Sequence, residues 1–302
     1  MVLERFENFQ EGYAINNKVK IHYEIHGSGS RHLCLLSGLG LPGRSWYYLL
    51  RKFLAKEEYS ILIIDNRGVG HSDIPIRLYY SVKGMAKDAI AVLEKVGWTG
   101  DIHLVGHNLG GMIAQWMVAL KPNYFASVTL DSTSAGRYFP PTMRFMFGVP
   151  LAGLALTYKT RASRVVRLFF AKEFLSTSSD DLQFTTKREE LNKFYLDIYN
   201  TSGKQSLIGN IQQMLGIFLH YLPKKQSKHI VEQKIPVLVL VGNKDVLVQN
   251  WYGELLARRL RGRLQIFKGC GHMIHQVHLD RYVEELAAHF TKAESRNVLS
   301  DN

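Results

Sequence analysis

Four glycine-rich motifs hold most of the residue types in this chain that could move protons or form covalent bonds. They are SGLG (Ser37 to Gly40), DNRGVGHSD (Asp65 to Asp73), GHNLGG (Gly106 to Gly111), and a late pair, VGNKD (Val241 to Asp245) with GCGH (Gly269 to His272). Asp245 precedes His272 by 27 residues, and each closes a β-rich run. An imidazole oriented by a carboxylate is the arrangement of a general base. GHNLGG lies between the strand-like DIHLVGH and the helical LGGMIAQWMVALKP, so it reads as a sharp strand-to-helix turn. Gly106 and Gly110 let the backbone turn sharply there and let the helix pack close to the strand. The residue at the centre of that turn is Asn108. A carboxamide cannot do what a serine hydroxyl would do in its place.

The elements that must position these residues can be read from periodicity. YAINNKVKIHYEIHG reads as an N-terminal hairpin turning at Asn16-Asn17. HLCLLSG, SILIIDN, DIHLVGH, ASVTLDST, PVLVLVGNKD and LQIFKG read as strands. Helical stretches lie between them. SWYYLLRKFLA carries Trp46, Leu49, Leu50 and Phe53 at helical spacing, MAKDAIAVLEKVG stops at Gly97, and the helix after Asn108 closes at Pro122. A last helix is expected from about Met273 to Phe290. This alternation predicts an α/β fold with a mostly parallel sheet and helices on both faces. From Asp131 to Lys234 the alternation fails. The segment is helical and aromatic, and it reads as an inserted helical lid over the carboxyl edge of the sheet, where open α/β sheets bind ligands. The expected division is a core of residues 1–136 and 229–294, a lid of 137–228, and a flexible tail of 295–302.

Taken in order, each after a strand, the four motifs resemble those of the α/β-hydrolase superfamily, and the resemblance covers nearly the whole chain. It implies that Asn108 occupies the nucleophile position, Asp245 that of the acid and His272 that of the base. Asp131, which also ends a strand, is a second candidate for the acid. The backbone N–H groups of Leu109 and Leu39 are the implied oxyanion donors. Arg67 and Gly68 are expected to brace the surrounding loops, and His107 to pack or hydrogen-bond. The SGLG loop lacks the histidine of the family's HG motif.

Three ancestries fit Asn108. The first is a serine, in a carboxylic-ester hydrolase. The second is an aspartate, as in the GHDxGG of epoxide hydrolases and dehalogenases. The third is no covalent nucleophile at all, as in lyase-like relatives or a ligand-binding pseudo-hydrolase. The aspartate branches usually carry HG-x-P in the first loop and often Trp after the nucleophile. SGLG and Leu109 depart from both, which favours a serine ancestor. Loss of a catalytic serine leaves only about 10³–10⁴-fold enhancement from binding and the oxyanion hole. The chain is therefore expected to be a very poor esterase as it stands.

The remaining features are bounds. Of 302 residues, 46% are hydrophobic and 21% charged, ordinary for a globular enzyme. The first residues lack the apolar run of a secretory signal, and no stretch is apolar enough to span a membrane. Cys34 and Cys270 read as reduced, buried thiols of a cytoplasmic protein. No cofactor is expected. His275 and His278 follow His272 without a further ligand cluster, so no metal is expected either. The net charge is +12, yet no nucleic-acid-binding motif accompanies it. The lid holds 14 Lys/Arg against 6 Asp/Glu, which suggests either a solvated surface or peripheral contact with an anionic membrane. Its apolar stretches FMFGVPLAGLAL and VVRLFFAKEFL, with Phe194, Tyr195, Tyr199, Phe218 and Tyr221, are expected to be core or to line a pocket for a small lipophilic ester, lactone or acid.

Overall fold

The computed structural model describes residues 9–136, 148, 154, 157–203 and 206–300. Eight strands form one sheet: β1 (Phe9–Asn16), β2 (Val19–His26), β3 (Arg31–Leu36), β4 (Tyr59–Ile64), β5 (Ile102–His107), β6 (Phe125–Asp131), β7 (Val237–Gly242) and β8 (Arg263–Phe267). Their order is β1-β2-β4-β3-β5-β6-β7-β8. β1 and β2 run antiparallel, β2 also pairs antiparallel with β4, and all pairings from β4 to β8 are parallel. Every residue of β4, β5, β6 and β7 is buried, which explains their continuous apolar runs: a parallel sheet is covered on both faces.

Strand order reverses between β3 and β5. The chain leaves β3 toward β4 on one side and returns at β5 on the other. The crevice at such a switch point, beyond the carboxyl ends of the strands, is where this architecture places ligands. The loops after β3 and β5 are the ones that carry Leu39 and Asn108.

Among the described residues, helices α1 (Tyr47–Leu54), α2 (Val82–Lys95) and α3 (Leu109–Leu120) belong to the first half, and α9 (Asn250–Leu260), α10 (Ile274–Val277) and α11 (Leu279–Ser300) to the second. Between β6 and β7 lie α4 (Tyr158–Phe169), α5 (Lys172–Leu175), α6 (Lys187–Thr201), α7 (Leu207–Leu219) and α8 (Lys224–Glu232). The described part of the insertion is thus helical, with isolated bridges Gly136–Tyr221 and Ser178–Thr186. Apart from residues 148 and 154, FMFGVPLAGLAL lies outside the described residues. One core cluster includes residues of α2, α3, α8 and α9, and the other includes α1, α11 and much of the lid. Phe194, Tyr195 and Tyr199 are fully buried in the second cluster, so the lid packs onto the sheet as core.

Three boundaries differ from expectation. The hairpin turns at Asn17 and Lys18, both at positive φ (48° and 68°), while Asn16 still pairs with Val19. A two-residue turn of this hand needs positive φ at both central positions, which shifts the turn by one residue. α8 runs through the expected lid boundary at residue 228 and packs on α3 and α9, because Ile230 completes the first core cluster. The last helix is interrupted at His278 and then continues to Ser300, past the expected start of the tail. No helix among the described residues is long and apolar enough to cross a membrane. Cys34 and Cys270 are buried and unpaired, and burial pushes both thiols up.

Candidate active site

Asn108 stands alone between β5 and α3, with φ 52° and ψ −112°. Left-handed backbone is uncommon outside glycine, although Asn tolerates it better than most residues. Two contacts and the helix that follows hold the turn. The Asn108 N–H donates to the Asp131 carbonyl at 2.9 Å, Thr133 Oγ1 donates to the Asn108 carbonyl at 2.7 Å, and α3 begins at once. The glycines are sterically required. A Cβ on Gly110 would lie 2.1 Å from the Leu36 carbonyl oxygen, and one on Gly106 would lie 2.4 Å from that of Gly110.

The loop after β3 comes close to this turn. A Cβ on Gly38 would sit 3.1 Å from Asn108 Cβ. The Leu39 N–H donates to Asn108 Oδ1 at 3.4 Å. Leu109 is the first residue of α3 and is buried. Other contacts brace the loop in the absence of the HG histidine. The Gly40 N–H donates to Gln213 Oε1 at 2.9 Å, the Ser37 hydroxyl donates to the Pro42 carbonyl at 3.1 Å, and Asn66 Nδ2 donates to the Ser37 carbonyl at 3.2 Å. The DNRGVGHSD loop is a bracing element, as expected. Asp65 accepts from the N–H groups of Gly43 and His71, and Arg67 grips Asp88 through two hydrogen bonds of 2.5 and 2.6 Å.

His272 and Asp245 are joined by a 2.7 Å hydrogen bond between Nδ1 and Oδ2, and both are buried. Asp245 Oδ1 accepts the N–H groups of Leu247 and Val248 at 2.8 and 3.0 Å, so the carboxylate cannot rotate freely. With Nδ1 committed to Asp245, Nε2 is the nitrogen left to exchange a proton.

Asp131 serves a different histidine. Its Oδ2 lies 3.2 Å from His107 Nδ1, 3.3 Å from the Tyr282 hydroxyl and 3.5 Å from His275 Nδ1. The Ser132 hydroxyl sits between Asp131 Oδ1 (2.9 Å) and the His272 carbonyl (3.0 Å). Burial alone would raise the Asp131 carboxyl, but His107 and His275 outweigh it and hold it well below the usual range. Burial pushes His107 down to about 4, against the pull of Asp131. His275 thus turns toward Asp131 and His107; the donor atoms of these three residues lie within 4.8 Å of one another. His278 takes no part in that cluster.

Asn108 and His272 line one cavity of about 50 Å³ with Leu39, Leu41, Val165, Leu168, Phe169 and Tyr199. A second cavity of about 670 Å³ shares Leu168, Phe169 and His272 with the first, reaches Asp245, and is bordered by Arg167, Lys172, Arg188 and Lys244. Sequence reasoning missed Arg161. Its side chain is buried, lines the smaller cavity, and lies over the Tyr199 ring at 5.1 Å. Counting it among the lid's surface cations hid it; its place on the same helical stripe as Val165 and Phe169 was the available signal.

A sharp strand-to-helix turn facing an Asp–His pair across the switch point of a mostly parallel sheet defines an α/β-hydrolase. The family model for the alpha/beta hydrolase fold matches residues 31–279, and the chain belongs to that family. It is similar to human Epoxide hydrolase 4, 28% identical over 297 residues, covering 92% of this chain and 77% of that protein. It is also similar to a 2-hydroxy-6-oxononadienedioate/2-hydroxy-6-oxononatrienedioate hydrolase of Burkholderia vietnamiensis, 26% identical over 270 residues and 88% of each chain. Among solved structures, the enol-lactonase of Burkholderia xenovorans LB400 superimposes with a TM-score of 0.74 at 19% identity, covering 93% of this chain and 100% of that one. At that identity the likeness speaks for the fold.

Proposed function

We propose that this chain is a carboxylic-ester or lactone hydrolase by descent, with Asn108, Asp245 and His272 at the triad positions and Leu39 and Leu109 as oxyanion donors. As it stands it is impaired in acyl transfer and retains binding of a small lipophilic acid, ester or lactone. The observation that carries this reading is the buried 2.7 Å Asp245–His272 bond beside a cavity that Asn108 also lines. A pair of this kind is costly to bury without a use, and an Asp-oriented imidazole is the base that acyl transfer needs. The Arg161 guanidinium in an otherwise mostly apolar wall supports a ligand with one anionic end. Buried, unpaired Cys34 and Cys270 support a reducing, cytoplasmic setting.

A second reading is an epoxide-hydrolase type of enzyme with aspartate ancestral at position 108. The similarity to human Epoxide hydrolase 4 across 92% of the chain favours it. The SGLG loop and Leu109 favour serine.

The smaller cavity, at about 50 Å³, is well below the roughly 300–1,000 Å³ of a drug-sized site. Ligands must therefore enter through the larger cavity or part Leu168 and Phe169. A thermal-shift screen of aromatic and fatty acids tests the binding claim. An acid at about 100 times its dissociation constant stabilises the fold by about 2.7 kcal/mol. Arg161→Met is expected to weaken the acid by tenfold or more, at about 1.4 kcal/mol per tenfold, and a neutral ester analogue by less. Equal loss for both, in a variant that melts normally, removes Arg161 from recognition.

Peripheral contact with an anionic membrane is also part of the proposal. Ile76 and Leu78, 82% and 84% exposed, adjoin the uncharged helix α7, whose Ile208, Ile211 and Leu219 are exposed as well. The chain has no acidic residue from 198 to 231 and carries Lys204, Lys224, Lys225 and Lys228 there. Flotation with vesicles rich in phosphatidylserine is expected to exceed that with neutral vesicles and to fall with salt. Equal flotation with both overturns the electrostatic part.

A further inference from the structure

Asn108 carries an amide whose own carbonyl reaches a donor of the candidate site. Its side-chain carbonyl oxygen, Oδ1, accepts the Leu39 N–H, the same donor proposed above for a substrate oxyanion. Asn108 and His272 line the same cavity. That cavity, at about 50 Å³, can hold water, since about 10–15 Å³ is enough for one molecule. An electrophilic carbonyl, a donor at its oxygen, an Asp-oriented base and room for water are the parts of a hydrolytic site. Here the carbonyl is part of the chain.

We propose that the protein hydrolyses its own Asn108 side chain to aspartate. The proposal rests on the dyad and oxyanion reading of the site and extends it to a modification. Water attacks Asn108 Cγ, and His272 Nε2 takes a proton from it as the C–O bond forms. The electron pair of the C=O bond moves onto Oδ1, facing the Leu39 N–H. When the tetrahedral intermediate collapses, the Cγ–Nδ2 bond breaks and the imidazolium returns its proton to the departing nitrogen. The products are an aspartate carboxylate at position 108 and ammonium; nothing is oxidised or reduced, and water is the only co-reactant.

Two features favour this over ordinary surface deamidation. Asn108 is 4% exposed, its backbone is fixed by Asp131 and Thr133, and its side-chain oxygen accepts the Leu39 N–H, so the amide stays within the site. Keeping the amide in the same cavity as an oriented base removes the entropic cost of bringing those two groups together. The product is also chemically consequential. A carboxylate at position 108, beside His272 and Leu39, is the nucleophile of the ester-forming aspartate branches, so the conversion would change the reaction class open to the site.

The experiment is peptide mass spectrometry across residue 108 in freshly purified protein and in samples aged at neutral pH. Exposed Asn17 and Asn243 in the same samples serve as internal clocks for spontaneous deamidation. Asn108 is expected to convert ahead of both and to give normal aspartate. His272→Gln is expected to slow conversion about 10²-fold or more, the share of a general base. Asp245→Asn provides a second variant if the first fails to fold. The proposal is overturned if Asn108 persists while Asn17 and Asn243 convert. It is also overturned if folded His272→Gln protein converts at the parent rate, or if the product is largely isoaspartate, the mark of attack by the Leu109 nitrogen. An active Asn108→Ser esterase with a stable Asn108 parent would sink this proposal and leave the functional reading standing; conversion of Asn108 with an inert Ser variant would do the reverse.

Discussion

Asn108→Ser is expected to turn over short p-nitrophenyl esters at least about 10³-fold faster than the parent. The size follows from the cost of removing a catalytic serine from an otherwise complete triad, which exceeds that figure in the best-measured case. Ser is smaller than Asn and tolerates the same turn, and the bonds that fix the turn, from the Asn108 N–H to Asp131 and from Thr133 to the residue 108 carbonyl, use backbone atoms of that residue. The substitution therefore adds the attacking oxygen without dismantling its support. An acyl-enzyme burst followed by slower turnover is the expected kinetic signature. Parent protein for the comparison must be fresh, because conversion of Asn108 to aspartate would change its background. A folded Ser variant with neither burst nor turnover, set against an Asn108→Asp variant that opens epoxides or haloalkanes, would reverse the choice of ancestor.

The parts of this site that lie in one strand-to-loop step were legible in the sequence. Asn108, Asp245 and His272 each follow an apolar strand run, and apolar runs closed by glycine report their own boundaries. The strand order was not legible, yet it brings Leu39 beside Asn108; it depends on which strands pair, and pairing leaves no local trace. The roles of the two acids were open for the same reason. Asp131 and Asp245 look alike from the chain, each ending a strand, and only packing directs one to His107 and the other to His272. Arg161 was hidden by its charge, since a cation on an amphipathic helix is expected to face water.

Asp131→Ala is expected to damage the fold more than the chemistry, and Asp245→Ala the reverse. Removal of the Asp131 carboxylate takes away the partner of His107 and of the Tyr282 hydroxyl, in a place where all three residues are buried. It also removes one contact of the Ser132 hydroxyl, which reaches the His272 carbonyl. Each buried polar group left without its partner costs about 1–3 kcal/mol, and the loss at both His107 and the Tyr282 hydroxyl is a large part of the stability of an ordinary domain. Asp131→Ala should therefore melt far below the parent or accumulate poorly, and Asp131→Asn, which keeps an acceptor of the same shape, should recover part of the loss. Asp245→Ala leaves the His107 cluster whole but frees the His272 ring. In the Asn108→Ser background it should lower kcat by about 10³–10⁴-fold, the cost of losing the carboxylate that sets the imidazole tautomer, with a much smaller change in melting temperature. Melting curves and kcat for the two alanine variants, side by side in that background, decide between the acids. A stable Asp131→Ala protein with its activity gone, beside an active Asp245→Ala protein, would exchange their roles, and the 2.7 Å bond between Asp245 and His272 would then be a packing contact.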